Sequence, residues 1–95
     1  MRATIVPFDS VVTIDGVSFN DIDMTGIDPQ VHAVQWYGTK GTVEYADPDT
    51  FEMLRNEPIT SMAAFQSQLD QFAAMKAAAD AEAQEAAEEQ TVIEV

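Results

Sequence analysis

The pattern of apolar and polar residues changes once along this chain, near Pro58. Ahead of that proline, β-branched and aromatic residues alternate with turn residues, a pattern typical of short strands. Beyond it, Ala, Gln and Glu dominate and there is neither glycine nor proline, which favours a helix. The chain is therefore predicted to have an α+β fold, a small antiparallel sheet packed against one long C-terminal helix.

The part before Pro58 predicts a meander of four or five short strands. Its clearest hairpin joins Val11–Ile14 to Val17–Phe19 through Asp15-Gly16, a pair that readily adopts the positive φ angles of a type I′ turn. A Gly-Thr-Lys-Gly turn closes a second hairpin further along the chain. The other predicted extended segments are residues 3–8, 31–37, 42–46 and 51–54.

The predicted helix begins near Thr60 or Ser61, whose hydroxyls can accept hydrogen bonds from the free N–H groups of a first turn. Beyond Met75 its bulky apolar residues end, and residues 77–95 hold six acids and no base. We therefore predict one domain over residues 1–76, with the sheet over residues 1–57 and the helix from about residue 61. Residues 77–95 would form an acidic, Ala/Glu-rich helical extension or a disordered tail.

The middle hairpin gathers the only His, the only Trp and both Tyr of the chain. Strand alternation places His32, Val34 and Trp36 on one face and Tyr37 on the other. A single imidazole, without Cys or a second His, cannot make the usual transition-metal site, so His32 is interpreted as a packing residue. The predicted packing residues of the core are Val34, Trp36, Val43, Tyr45, Phe65, Leu69 and Phe72.

Composition argues against several classes of function. With 17 Asp and Glu against 4 Lys and Arg, the net charge of −13 repels nucleic acid and anionic membranes. The absence of Cys excludes disulfides and thiolate chemistry. No apolar run approaches the roughly 20 residues of a membrane helix. We expect a protein that is cytosolic at synthesis and needs no cofactor.

The segment Asp21-Ile22-Asp23-Met24-Thr25-Gly26 suggests two kinds of site and fits neither. It matches the opening of a calcium loop, but His32 stands where a bidentate Glu should close that loop. The same letters match the DxDxT motif of haloacid-dehalogenase-like phosphatases, whose α/β domain is far longer than this chain. The segment is better interpreted as turns capped by their own side chains.

No catalytic, cofactor-binding or metal-binding residue is therefore assigned, and we predict that the protein is not an enzyme. Candidate partner-binding residues are the exposed aromatic of the hairpin and the apolar positions of the C-terminal Thr-Val-Ile-Glu-Val, which suit strand addition to a peptide groove. These candidates are Tyr37, Val92, Ile93 and Val95.

The order of these motifs resembles a set of small proteins encoded in tailed-bacteriophage genomes, often in the tail or tail-fibre region. The resemblance covers roughly residues 1–75 and lies in a DGV hairpin, a His-Ala-x-Gln-Trp strand, a Gly turn into a Val-Glu-Tyr strand and an Asn-Glu-x-Ile-Thr entry into the helix. The matching residues are Asp15, Gly16, Val17, His32, Ala33, Gln35, Trp36, Gly41, Val43, Glu44, Tyr45, Asn56, Glu57, Ile59 and Thr60. Where many members of the set place a Trp late in the helix, this chain has Phe72.

The resemblance implies a non-enzymatic phage protein that acts through protein–protein contacts. It would be a tail- or virion-associated assembly factor or a minor structural component, made in the host cytoplasm, with a phage tail or virion protein as partner and self-association left open. The alternative hypothesis is an acidic inhibitor that mimics nucleic acid and binds a basic host protein. A surface this acidic is also the ordinary composition of a solvated, soluble protein.

Overall fold

The computed structural model describes the backbone of residues 1–93 and the side chains of residues 1–85. It contains one six-stranded antiparallel sheet and one C-terminal helix, so the α+β class is confirmed, and the strand number is six instead of four or five. The strands and helix are β1 Ala3–Val6, β2 Val11–Ile14, β3 Val17–Phe19, β4 Val31–Trp36, β5 Gly41–Ala46, β6 Met53–Ile59 and α1 Gln66–Ile93. Single 3₁₀ turns at Pro7–Asp9 and Ala63–Phe65 precede β2 and α1.

The sheet consists of two three-stranded meanders joined side by side. Its strand order is β3-β2-β1-β4-β5-β6, so β1 and β4 are neighbours although they are not consecutive. The chain leaves β3 at one edge and must return to the centre of the sheet to begin β4. Residues 20–30 make this return and are called the crossover below. The predicted simple meander is therefore wrong at this connection.

The β2–β3 hairpin is confirmed in its bounds and in its turn. Asp15 and Gly16 have φ angles of 48° and 85°, the two positive values that a type I′ turn requires. The backbone N–H of Arg2 donates a hydrogen bond of 2.9 Å to the Asp15 carboxylate, which ties the turn to the start of β1. A 2.6 Å hydrogen bond between the hydroxyls of Thr13 and Ser18 links the two strands on their open face.

The last strand and the helix begin later than predicted. The extended piece expected at residues 51–54 is β6, Met53–Ile59, and it passes through Pro58. An edge strand tolerates proline, because one side of its backbone has no partner to lose. The Ser61 hydroxyl does accept a hydrogen bond of 3.1 Å, from the N–H of Ala63, but the turn that follows is 3₁₀ and α1 starts only at Gln66.

One face of the sheet is covered and the other is open. The core lies between the sheet and the first turns of α1. Strands β1, β2, β4 and β5 and the helix contribute buried side chains, and β3 and β6 contribute partly buried ones at its margin. Its buried members are Ala3, Ile5, Val12, Ile22, Val31, Val34, Trp36, Val43, Met62, Phe65 and Phe72. Phe19 and Phe72 meet edge to face, with 5.2 Å between ring centroids, which is a favourable aromatic geometry.

Only the first part of α1 contacts the sheet. The apolar stripe begins at Phe65 in the preceding 3₁₀ turn, continues through Leu69 and Phe72, and ends at Met75; the side chains of residues 77–85 are exposed. A helix of 28 residues is roughly 42 Å long. The molecule measures 61 × 29 × 19 Å along its principal axes, so the helix runs well past the sheet.

Two glutamines fasten the crossover to the helix. The Gln68 side chain, 2% exposed, donates a hydrogen bond of 3.0 Å to the backbone carbonyl of Asp23. Gln71 accepts from the Asp23 N–H at 2.8 Å and donates to the same carbonyl at 3.0 Å. These bonds satisfy both backbone polar groups of Asp23, while its neighbour Ile22 is fully buried in the core.

Replacing Trp36 with Ala should lower the free energy of unfolding by about 3 to 5 kcal/mol, because a large aromatic side chain in the core leaves a cavity. Urea denaturation followed by circular dichroism measures this change. The matched control is Tyr37→Ala, since the neighbouring ring is 54% exposed and its loss should shift stability little. Equal stability of the two variants would contradict the assignment of Trp36 to the core.

Replacing Gln68 with Ala should lower the free energy of unfolding by about 0.5 to 1.5 kcal/mol, because it removes one of two side-chain hydrogen bonds to the Asp23 carbonyl while Gln71 keeps the other. Thermal denaturation checks this value. Gln84→Ala is the control, since Gln84 is exposed on the same helix beyond the sheet. A Gln68 variant as stable as the control would show that the crossover does not depend on this hydrogen bond.

Candidate functional site

The middle hairpin, which carries most of the motif residues, is largely structural in its position. Trp36 is 7% exposed and lies in the core, as do Val34 and Val43, while Tyr45 packs against the core from β5. Of the predicted helix packing residues, Phe65 and Phe72 are buried and Leu69 is partly buried. The aromatic side chains of this hairpin therefore do not line a common open cavity.

His32 lies on the opposite face of the sheet from Trp36, which corrects the expectation from simple alternation. The register between β4 and β5 shifts between Val31 and Ala33, and this bulge inserts His32 as an extra residue. A bulge reverses the facing of every residue on one side of it. His32 instead contacts Phe8 edge to face at 5.4 Å, and its Nδ1 has no hydrogen-bond partner within the described residues.

The Asp21–Gly26 segment forms a capped turn within the crossover. The Asp23 carboxylate accepts hydrogen bonds from the backbone N–H of Thr25, at 2.9 Å, and from the Thr25 hydroxyl. These bonds favour the ionised carboxylate and lower the pKa of Asp23 below its ordinary value of 3.8. The carboxylate that a calcium loop would direct at an ion is here bonded to its own backbone. Strands and not helices flank the segment.

Within residues 1–85 no three His, Asp or Glu side chains lie close enough together to hold a metal ion. A groove of about 550 Å³ on the open sheet face is lined by Arg2, Thr4, Thr13, Asp15 and Gly16. Its floor is neutral, and Thr4 donates to the side-chain oxygen of Gln35 at 2.9 Å. The Thr13 hydroxyl is bonded to that of Ser18, and the Asp15 carboxylate accepts from the backbone N–H of Arg2. The lining groups therefore offer no nucleophile paired with a base.

The most unusual surface is an apolar strip at the beginning of β6. We use this name for Phe51, Met53 and Leu54, which are 63%, 51% and 45% exposed. Single exposed apolar residues are common on soluble proteins, but here three lie within four positions of one edge. Met53 and Leu54 are consecutive residues of the strand, so they project from its two opposite faces. Phe51 also contacts Phe8 at 5.7 Å, which continues the apolar surface toward His32.

Phe51 is held in a backbone conformation that bulky residues rarely adopt. Its φ angle is 62°, in the left-handed region. The turn from Asp47 holds it there: the Phe51 N–H donates to the Asp47 carbonyl at 2.8 Å, and the Asp47 carboxylate accepts from the N–H groups of Asp49 and Thr50. This conformation costs about 1 kcal/mol of backbone strain, and in it the phenyl ring of Phe51 is exposed.

The centre of β6 carries a basic and an acidic side chain fixed on the helix-bearing face. The Arg55 guanidinium lies 4.0 Å from the centroid of the Tyr45 ring and 3.2 Å from a carboxylate oxygen of Glu57. Partial burial raises the pKa of Tyr45, and the Glu57 carboxylate raises it further. Arg55 is one of only four basic residues in the chain, so its place on an exposed edge is distinctive.

The outer side of β6 has no strand beside it. This strand is the last in the sheet, six of its seven residues are exposed, and within the described residues β5 is the only strand that pairs with it. Its register on β5 shifts between Tyr45 and Ala46, so a bulge at Leu54 separates Met53 from the regular stretch of residues 55–59. We call this outer side the free edge. Unpaired backbone N–H and C=O groups on an edge strand are ready to pair with another strand. Sequence reasoning missed this surface because Pro58 was taken as the end of the sheet.

The predicted partner-binding residues lie elsewhere. Tyr37 follows β4 and is exposed, with the Arg2 guanidinium 5.1 Å from its ring centroid. Val92 and Ile93 belong to α1, but their side chains lie outside the described part, and Val95 lies outside the described residues altogether. Because β5 lies between β4 and β6, Tyr37 is separated by a strand from both the apolar strip and the free edge.

Comparison with known proteins adds no relative: no family model, no curated protein and no solved structure matches this chain. In the described part of the chain, no helix is both long and apolar enough to cross a membrane.

Replacing Thr25 with Ala should raise the pKa of Asp23 toward its ordinary value, because the hydroxyl that stabilises the carboxylate is removed. A pH titration of the side-chain carboxyl by NMR measures this. In the native protein the lowered pKa means that the Asp23 turn stabilises the fold above about pH 4 and loses that effect as the pH falls through the folded pKa. Thr50→Ala, in the turn before β6, is the control that should leave the Asp23 titration unchanged.

Proposed function

We propose that this protein is not an enzyme and acts through protein–protein contacts made by the apolar strip and the free edge of β6. The observation that carries this proposal is the pairing of the two features in one place: exposed apolar side chains and unpaired strand backbone. Strand addition uses both, since the backbone supplies hydrogen bonds and the apolar side chains supply buried area. The strained φ angle of Phe51 adds support, because strain of this kind is commonly kept where it serves function.

We place this activity in a tailed-bacteriophage tail or virion, as assembly factor or minor structural component. This context rests on the motif resemblance, from the DGV hairpin to the Asn-Glu-x-Ile-Thr segment. Three of those motif residues, Asn56, Glu57 and Ile59, lie on β6. The resemblance and the exposed surface therefore fall on the same strand.

Particles and tail complexes purified from cells that express the gene test the proposal. Mass spectrometry should find the protein in one of these fractions, and Phe51→Asn with Met53→Thr should deplete it there about 10-fold or more, because exposed apolar anchors dominate binding. Both changes lie at exposed sites, so the fold should keep its thermal midpoint. Val17→Thr, at the opposite edge of the sheet, is the control for general surface polarity.

Absence of the native protein from both particles and tail complexes would overturn the phage assignment. Equal recovery of the strip variant and the Val17 variant would overturn the assignment of the binding surface while leaving the assembly role standing.

A second candidate, the acidic inhibitor, is favoured by one observation: Asp80, Glu82 and Glu85 are exposed on a regular helix beyond the sheet. Acids at fixed helical spacing can present an ordered negative surface. Affinity capture should then recover a basic host protein that duplex DNA and raised salt release, because the contact would be electrostatic. The strip variant should not affect that capture.

A further inference from the structure

We propose that the free edge of β6 pairs with β6 of a second copy of this chain, antiparallel and centred on Asn56, across a two-fold axis. The inference deepens the proposed function by naming the partner of the same surface, and it rests on that surface being a contact site. It follows from two features of β6: the direction of its backbone groups and the order of its charges.

The backbone direction is set by Pro58. In the sheet, Pro58 is opposite Thr42 and Asn56 is opposite Glu44. Proline has no N–H to give to β5, so the Thr42–Pro58 pair belongs to the kind that makes no hydrogen bonds to that neighbour. Alternation places Asn56 in the same kind, so the N–H and C=O of Asn56 point to the free edge. A second strand centred there would form two mutual backbone hydrogen bonds at Asn56. Pro58 faces the same edge but offers only its carbonyl, so the pairing does not extend regularly beyond the centre of the strand.

The charges on β6 are complementary to themselves about Asn56. Arg55 and Glu57 flank it and share the helix-bearing face, where they are opposite Tyr45 and Val43 of β5. In a two-fold antiparallel pair centred on Asn56, each Arg55 is directly opposite the Glu57 of the other copy. Opposite charges in this position stabilise a strand pair, and like charges destabilise it.

Other registers of the same strand are unfavourable. A two-fold pair centred on Arg55 would oppose two arginines, and one centred on Glu57 would oppose two carboxylates. A register shifted by one residue would pair even-numbered residues, whose backbone groups point to the free edge, with odd-numbered ones, whose backbone groups point to β5. Such a pair could not form mutual backbone hydrogen bonds. A pair centred on Pro58 would oppose two residues without an N–H, and one centred on Leu54 would fall on the bulge. The register centred on Asn56 is therefore favoured by both charge and hydrogen bonding.

The regular pairing in this register is limited to the centre of β6. The bulge at Leu54 lies between Met53 and the regular residues 55–59, so the two-fold pair joins residues 55–57 of the two copies. Met53 and Leu54 are about half exposed in the single chain. Arg55 needs little reorganisation, because the Tyr45 ring already holds its guanidinium in place.

Pairing at β6 would stop at two copies. The other edge of the sheet is β3, Val17–Phe19, which has only three residues. So short an edge offers little to a further strand. The contact is also isologous, since each copy uses the same surface, and isologous contacts close at the dimer.

Sedimentation equilibrium of the full chain at about 0.15 M salt tests the proposal, because that salt screens the distant acidic charges beyond roughly 8 Å and leaves direct pairs in place. The native protein should show a monomer–dimer equilibrium. R55E puts two acidic side chains on β6 and E57R puts two basic ones, so each should weaken the dimer by about 10- to 100-fold. Lys40→Glu, in the β4–β5 turn, is the control for net charge.

An equimolar mixture of R55E and E57R provides the decisive measurement. In the proposed register the two acidic residues of one chain oppose the two basic residues of the other, so the mixture should form a heterodimer at least as tightly as the native chain dimerises. The double variant R55E/E57R should also recover self-association. Misfolded variants could not show this reciprocal rescue, and circular dichroism confirms that each single variant is folded.

A native chain that is monomeric at about 100 μM, or a dimer whose affinity ignores both charge reversals, would overturn the proposal. A monomer that is nevertheless found in phage particles would overturn the dimer alone and keep the proposed function. A dimer that is absent from particles would overturn the proposed function and keep the dimer.

Discussion

The hydrogen bonds between Asp23 and the two glutamines of α1 hold together parts of the chain that sequence order separates. The chain must return from the edge strand β3 to the centre of the sheet, and it does so between the helix and the sheet margin. Backbone groups there are partly shielded from water and costly to leave unpaired. Gln68 and Gln71 of the helix donate to or accept from these groups. The same hydrogen bonds therefore position both the helix and the crossover.

How much of this could be read from the sequence depends on whether each feature is local. The β2–β3 hairpin was predictable because Asp15-Gly16 specifies its own turn, and the helix because its composition admits little else. The role of Gln68 was not, because a polar residue within an apolar stripe suggests an exposed position until the crossover is known to lie above it. Nothing local marks the bulge at His32 either, since it arises from the register of β4 on β5.

The candidate site escaped sequence reasoning for a related reason. Proline usually marks the end of a strand. Pro58 is tolerated within β6 because its missing N–H would face away from the neighbouring strand. Only the sheet order shows that β6 is such an edge strand. Once that is known, Pro58 changes from a boundary signal to evidence about backbone direction. The Arg-Asn-Glu sequence beside it then lies on the free edge, a position that the acidic composition of the chain does not indicate.

The acidic surface and the neutral edge of β6 serve opposite purposes in this molecule. A net charge of −13 disfavours contact between copies at most orientations, since like-charged surfaces repel. Arg55 offsets Glu57 at one place, where backbone groups and apolar side chains are also unpaired. In the proposed dimer this repulsion remains, and the pairing of Arg55 with Glu57 reduces it locally, so approaches that lack such a pairing are penalised more strongly than this one. Since opposing residues of an antiparallel pair share a face, such a contact would extend one sheet with both helices on the same side, and the open face of Thr and Gln side chains would remain free on the other.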